Sequence, residues 1–185
     1  DEVRGGDGLD ILYGQDGNDL LDGGDGNDTL AGGAGDDTLL GGAGTGLLYG
    51  EAGDDLLQGA DSADLLNGGG GSDRMHAAAG DDLIFAGDGD DIASGDAGAD
   101  TIYGGIGADT MDGGYGDDIL DGGAHDDRLH GGAGNDLASG GPGRDWVSGG
   151  VGTDILFGDE GDDYLNGDDD RDVLFGGTGN DLLAG

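Results

Sequence analysis

The sequence predicts an all-β fold, a parallel β-roll (a β-helix-like solenoid) of about ten 18-residue coils, on the strength of three observations. A nine-residue phrase, Gly-Gly-x-Gly-x-Asp-x-U-x with U apolar, runs from Gly5 to Ala184 in 20 consecutive copies without insertion or deletion. Its sixth place is aspartate in 19 of the 20, with Gly46 the one exception. Its eighth place is apolar in all 20, from Leu12 to Leu183. A fixed period of this kind marks a stack of identical units rather than a globular core.

Glycine at the first, second and fourth places supplies backbone conformations closed to other residues, which suits a tight turn with converging carbonyls. The first six residues of each nonad are therefore expected to form a turn. The last three, such as Thr29-Leu30-Ala31 or Ile155-Leu156-Phe157, are expected to form a short strand whose middle side chain points opposite to its neighbours, into the stack. Two nonads close one coil, and successive coils stack as two parallel sheets. The interior is then a single ladder from Leu12 to Leu183, thinned at Ala93 and Ala138 and too slight to hold the fold alone.

The array is expected to be one continuous domain over residues 1–185, with full nonads over 5–184. Residues 1–4 fit the last four places of a preceding copy and Gly185 the first place of a following one, so a longer array is expected, with any targeting or secretion signal outside this window.

Composition explains why such a stack needs help. The chain has 51 glycines, 40 aspartates, 3 glutamates, 5 arginines and no lysine, with a formal charge of −38 and an apolar content of 34%. Self-repulsion and scant apolar surface leave the bare chain disordered. An acidic tail would scatter its charge, yet half of the aspartates, counting Asp1, fall on one place of the cycle, as cation binding requires. Nucleic acid is excluded as a partner by the charge, disulfides and thiolate sites by the lack of cysteine, and a membrane span by the lack of any long apolar run. None of Glu2, Glu51 and Glu160 closes a 12-residue acidic loop, which excludes an EF-hand.

In its 20 in-phase nonads the chain resembles the RTX, or haemolysin-type, calcium-binding repeats over essentially its whole length. The resemblance implies that each turn is half a site and that calcium sits between turns one coil apart, held by aspartates and turn carbonyls. One row of ligands would run Asp10, Asp28, Gly46, Asp64, Asp82, Asp100, Asp118, Asp136, Asp154 and Asp172. The other would run Asp1, Asp19, Asp37, Asp55, Asp73, Asp91, Asp109, Asp127, Asp145, Asp163 and Asp181. Up to about 18 ions, carrying about +36, would nearly balance the formal −38. Gly46 lacks a carboxylate and Ser62 replaces the turn glycine before Asp64, so the Gly46/Asp64 pair is expected to be the poorest site. His125 and Asp169 are expected to disturb their turns in the same way. The resemblance also implies a bacterial chain kept unfolded in the low-calcium cytosol, exported by type I secretion and folded outside the cell.

The two outward faces differ. With Gly5–Tyr13 counted as the first nonad, the aromatic residues at the ninth place, Tyr13, Tyr49, Phe85, Tyr103, Phe157 and Phe175, all lie on odd nonads, whose seventh places carry no charge. This stripe is expected to be an interface for self-association or a neighbouring domain. The even face, with Asp22, Arg74, His76, Asp112, Arg128 and His130 among Leu20, Ile92 and Trp146, is expected to be mainly solvated, with Trp146 beside Arg144 the one candidate binding spot. No catalytic residues are expected, since His76, His125 and His130 stand on coils too far apart for a triad and a solid stack offers no pocket. The chain thus reads as a calcium-dependent structural or adhesive rod of a surface layer or fibre. The alternatives are a folding and export module for a toxin or enzyme domain outside this window, and a calcium-dependent ligand-binding module.

Overall fold

The computed structural model describes residues 1–185 and contains strands and turns with no helix. Odd and even nonads separate onto two parallel sheets of 10 and 11 strands, and every strand pairs with the strand 18 residues away: Leu12 with Leu30, Leu21 with Leu39, Leu120 with Ala138. This is the expected β-roll. The constant register follows from a repeat without insertions, because a slip of one residue would turn every eighth-place side chain out to water.

Most strands are longer than the nonad predicts. Ile11–Asp16 or Thr101–Ile106 span six residues, running from the seventh place of one nonad through the third place of the next. Pairing resumes after a bend at the first place: Arg4 opposes Asp22 and Gly6 opposes Gly24, while Gly5 is skipped. The true turn is thus three residues rather than six. Its first three places stay in the sheet because their amides and carbonyls continue the coil-to-coil ladder, as buried backbone groups must.

The bend and turn explain two of the glycines. The second place takes positive φ, as at Gly6 (+103°), and so does the fourth, as at Gly134 (+153°). At the fourth place a β-carbon would also strike the coil beneath, only 1.7 Å from the Gly116 carbonyl oxygen in the case of Gly134. Six second places nevertheless hold other residues at φ between +67° and +82°, namely Gln15, Glu51, Ala78, Asp96, Asp159 and Asp168. Three of these are held by side chains: Asp96 accepts from Ser94 and faces His76 at 2.9 Å, Asp159 accepts from Ser139, and Asp168 accepts from Ser148 and Asn166.

The core is the predicted single file. Leu21, Leu30, Leu39, Leu48, Leu57 and Leu66 are fully buried between the sheets, Ala93 and Ala138 thin the file, and Ala77 and Ala86 join it from first places. The file runs to Leu165, with Leu174 packed against it and Leu183 exposed. Some strands are shorter: Thr38–Leu40, Leu56–Gln58 and Arg74–His76 stop after three residues, just before the turns of Gly46, Asp64 and Asp82, and Val173–Phe175 does the same.

Two substitutions separate the roles of these glycines. Gly134→Ala combines positive φ with a backbone clash and should cost about 1–3 kcal/mol, whereas Gly70→Ala, at a third place with open space around it, should stay within about 0.5 kcal/mol. Thermal unfolding in saturating calcium distinguishes them, and equal melting points would contradict the stacking argument.

Candidate metal centre

Each turn ends on the sixth-place aspartate, whose carbonyl accepts the amide of the seventh residue one coil on, as Asp10 accepts from Thr29 at 2.9 Å. The strand therefore fixes the aspartate backbone, and the side chain folds beneath the turn. From Asp19 to Asp163 these side chains are buried, an arrangement carboxylates rarely adopt without a partner. One oxygen has such a partner: Oδ1 accepts the amide of the aspartate one coil earlier, as Asp28 from Asp10 (2.9 Å), Asp100 from Asp82 (2.8 Å) and Asp163 from Asp145 (2.9 Å). The ladder is interrupted at Asp28, whose amide faces Gly46.

The second oxygen does not. In 17 of these aspartates, from Asp10 to Asp172, Oδ2 is buried without a hydrogen-bond donor. Main-chain oxygen stands beside it. A β-carbon on Gly5 would lie 2.7 Å from Asp10 Oδ2 and 2.6 Å from the Gly23 carbonyl oxygen, and one on Gly113 would lie 2.5 Å from Asp118 Oδ2 and 2.6 Å from the Gly131 carbonyl oxygen. At these turns the missing β-carbon leaves room for the two oxygens to converge, while the turns of Asp82 and Asp91 keep the same donorless Oδ2 with Ala77 and Ala86 at the first place. Nowhere do three His, Asp or Glu side chains gather at one point, so any cation here must take much of its coordination from carbonyls. Buried carboxylate oxygens without donors, set beside main-chain carbonyl oxygens, are the ligand set of a hard cation such as calcium, and these residues fit that ion.

Electrostatics agrees with the geometry. Burial, opposed in part by the amide hydrogen bond and reinforced by the neighbouring aspartates, pushes the carboxyls of Asp55, Asp91, Asp100 and Asp127 up to about 7. Asp82, Asp136 and Asp145 rise to about 6 by burial and the same neighbours. Each rise measures the cost of charging an oxygen in the metal-free stack.

The turn Gly59–Asp64 differs, as the sequence leads one to expect. Neither Ala60 nor Ser62 takes positive φ, and Asp64 has both oxygens occupied, Oδ1 by the Gly46 amide at 2.5 Å and Oδ2 by the Ala60 amide at 2.9 Å. It is the one interior member of the series without a donorless oxygen. His125 does sit at an altered fourth place, at φ +91°. In the later turn, however, the altered fourth place is Asp170, at φ +83°, and not Asp169, which is at the third. The repeat frame counted from Gly5 puts the departure one residue further on.

A second ladder escaped the sequence reading. Fifth-place side chains accept the amide of the fifth place one coil later: Asn18 from Asp36 (3.1 Å), Asp54 from Ser72 (2.8 Å), Asp117 from Asn135 (2.7 Å). It runs opposite in sense to the aspartate ladder and lies outside it. The frequent Asn and Asp at that place were the available signal. Asp162, exposed on this ladder, is held below its ordinary value by the backbone and side chain of Asn180.

On the odd face the structure stacks Phe85 on Tyr103 (5.2 Å between centroids) and Phe157 on Phe175 (5.0 Å), whereas Tyr13 and Tyr49 oppose Ala31 and have no aromatic neighbour. The even face is not merely solvated, and the surface is not pocketless: three grooves of about 310, 400 and 450 Å³ open there. The group stacked on Trp146 is Arg128, one coil away, with its guanidinium carbon 5.1 Å from the ring centroid; Arg144 lines the groove alongside. His76 faces Asp96 at 2.9 Å, and His125 and His130, expected on separate coils, share one nonad.

The raised carboxyls set a pH dependence. Between about pH 4 and 7 the folded metal-free chain holds protons that the unfolded chain has released, so its stability rises as pH falls through that window and is lost as pH rises above it. In chelator, far-UV circular dichroism should show β-structure increasing from pH 8 to 4; a flat profile would contradict the assignment of the buried carboxyls.

Comparison with known families bears on this geometry. Matches to the description RTX calcium-binding nonapeptide repeat (4 copies) overlap from residues 1–30 through 67–102 and 103–138 to 148–183, with no enzyme family among them. No curated protein matches the chain. With that family covering residues 1–183 and its repeat visible in every coil of the stack, the chain belongs to the RTX calcium-binding nonapeptide repeats.

Proposed function

We propose that the chain is a calcium-dependent folding rod, in which aspartates 18 residues apart and the turn carbonyls between them hold up to about 18 calcium ions. The observation that carries this reading is the set of 17 buried carboxylate oxygens without donors. The sixth-place side chains and first-place carbonyls would hold the ions, and bound calcium supplies the positive charge that opposes the formal −38. The residues divide the work. The aspartate Oδ1 ties each coil to the one before, Oδ2 faces the site, and a small first-place residue, glycine in all but two turns, keeps the space open. Because the metal-free stack is costly to ionise and its core is one side chain wide, folding and binding are coupled. At extracellular calcium of about 10⁻⁴–10⁻³ M this makes a chain unfolded in the bacterial cytosol, exported by type I secretion, and folded at the cell surface or beyond. The secretion reading is equally compatible with a folding and export module for a domain outside this window.

The odd face supports the rod reading over the module reading. Ile11, Tyr13, Phe85, Ile119, Val173 and Phe175 are exposed along the stack, and apolar surface of this extent marks an association face. For a chain of this charge, lateral contact between copies is cheapest where the seventh places are neutral.

Two experiments test these readings. Asp100→Asn should remove about one or two ions from the bound total and lower calcium affinity, while Asp64→Asn should change the total little, as read by isothermal calorimetry and metal analysis. Equal losses would defeat the ligand assignment, and β-structure persisting in chelator at neutral pH would defeat the coupling. Replacing Tyr49, Phe85 and Tyr103 with serine should reduce association in sedimentation velocity while calcium-induced folding is retained; unchanged association would remove the interface.

A further inference from the structure

We propose that calcium-driven folding starts at one place in the array, the block of residues 38–67, and spreads from it toward both ends. This rests on the coupling of folding to calcium and adds where along the chain it begins.

In a stack where each coil contacts only its neighbours, folding begins where apolar contact is greatest and unmet polar groups are fewest. Two independent features coincide in this block. The first is a reduced demand for ions. From Asp73 to Asp163 every sixth-place aspartate keeps a buried Oδ2 without a donor, so each coil added there brings two. Of the three turns in the block, only that of Asp55 has one. At Asp64 the amides of Gly46 and Ala60 occupy both oxygens, and Gly46 has no carboxylate to place.

The turn of residues 41–46 is filled by carbon instead. A β-carbon on Gly46 would lie 2.7 Å from Leu48 Cδ1, and one on Gly41 would lie 3.3 Å from the same methyl, with the Gln58 carbonyl oxygen at 3.4 Å. One coil earlier, a β-carbon on Gly23 would meet Asp28 Oδ2 at 2.7 Å and the Gly41 carbonyl oxygen at 2.5 Å. A leucine methyl thus packs where that turn sets two oxygens. The coil closes on this edge without a cation.

The second feature is the core. Leu21, Leu30, Leu39, Leu48, Leu57 and Leu66 are consecutive rungs and all fully buried, whereas Ala93, Met111, Ala138 and Val147 interrupt the later file. Leu39 opposes Leu57 and Leu48 opposes Leu66 across coils. None of the outward seventh and ninth places of the block carries a charge.

Against this stand the Asp28 amide, which faces Gly46 rather than a carboxylate, and the shorter strands. The strands lose little. The Gly41 and Gly59 amides still reach the Gln58 and His76 carbonyls at 2.8 and 2.9 Å, and the Ala79 amide reaches the Ala60 carbonyl at 2.9 Å. Leu47–Ala52 and Leu65–Gly70 pair from end to end. A bare, buried, charged oxygen outweighs a neutral hydrogen bond lost at a strand end.

Pulse-labelled amide exchange after a jump from chelator to saturating calcium reads the order directly. Amides of residues 47–66 should be protected first, with residues 92–111 and 155–165 following later. Leu57→Ala should slow calcium-induced folding about tenfold or more and leave unfolding in chelator little changed, whereas Leu156→Ala should mainly speed unfolding. The proposal is overturned if another segment is protected first, if all segments gain protection together, or if Leu156→Ala slows folding as much as Leu57→Ala. Protection already complete in chelator would overturn the calcium coupling as well. Calcium-dependent protection that starts elsewhere would overturn this proposal alone.

Discussion

The structure depends on the contact between the amide of one sixth-place aspartate and the carboxylate of the next, 18 residues on. This bond fixes the carboxylate under the turn, joins consecutive coils outside the apolar file, and leaves the other oxygen buried beside a main-chain carbonyl. An unpaired charged oxygen in such a place is one of the costliest things a fold can contain. The ladder that organises the coils therefore also carries the electrostatic cost that a bound cation would offset.

The apolar core cannot offset that cost. It is one side chain wide, and two of its rungs are Ala93 and Ala138. The exception supports the same logic: at Asp64 the chain itself supplies a second amide, from Ala60, and the donorless oxygen disappears. That turn is the one where the repeat loses both a positive-φ second place and a fourth-place glycine. The neighbouring strands shorten over the same stretch.

Much of this was legible in the sequence. The frame, the inward eighth place and the two parallel sheets all follow from residue type and spacing, because a repeat without insertions places equal positions in register, and the departures at Gly46, Ala60 and Ser62 mark the turn where both Asp64 oxygens accept amides. The strand length was not legible, since glycines at the first three places read as turn although their backbone groups still pair across coils. The fifth-place ladder was missed because Asn and Asp beside a metal-binding aspartate look like additional solvated charge. Trp146 drew attention with the wrong arginine: in sequence its companion is Arg144, but in the stack a residue's nearest side-chain neighbours are 18 positions away, which brings Arg128 onto the indole.

The sequence by itself determined the period, and with it the coil, the class of metal and the aspartates that face one another. Those are properties of a pattern repeated along one dimension, and translation along the stack carries each of them from coil to coil unchanged. Only the tertiary structure decided which carboxylate oxygen is tied to an amide and which is left bare, where the strands end, and that grooves open on the even sheet beside Arg128, Arg144 and His130. These depend on the direction in which side chains lean between stacked coils. That direction is set by the bend at the first place and by the neighbour above and below, neither of which a single nonad contains.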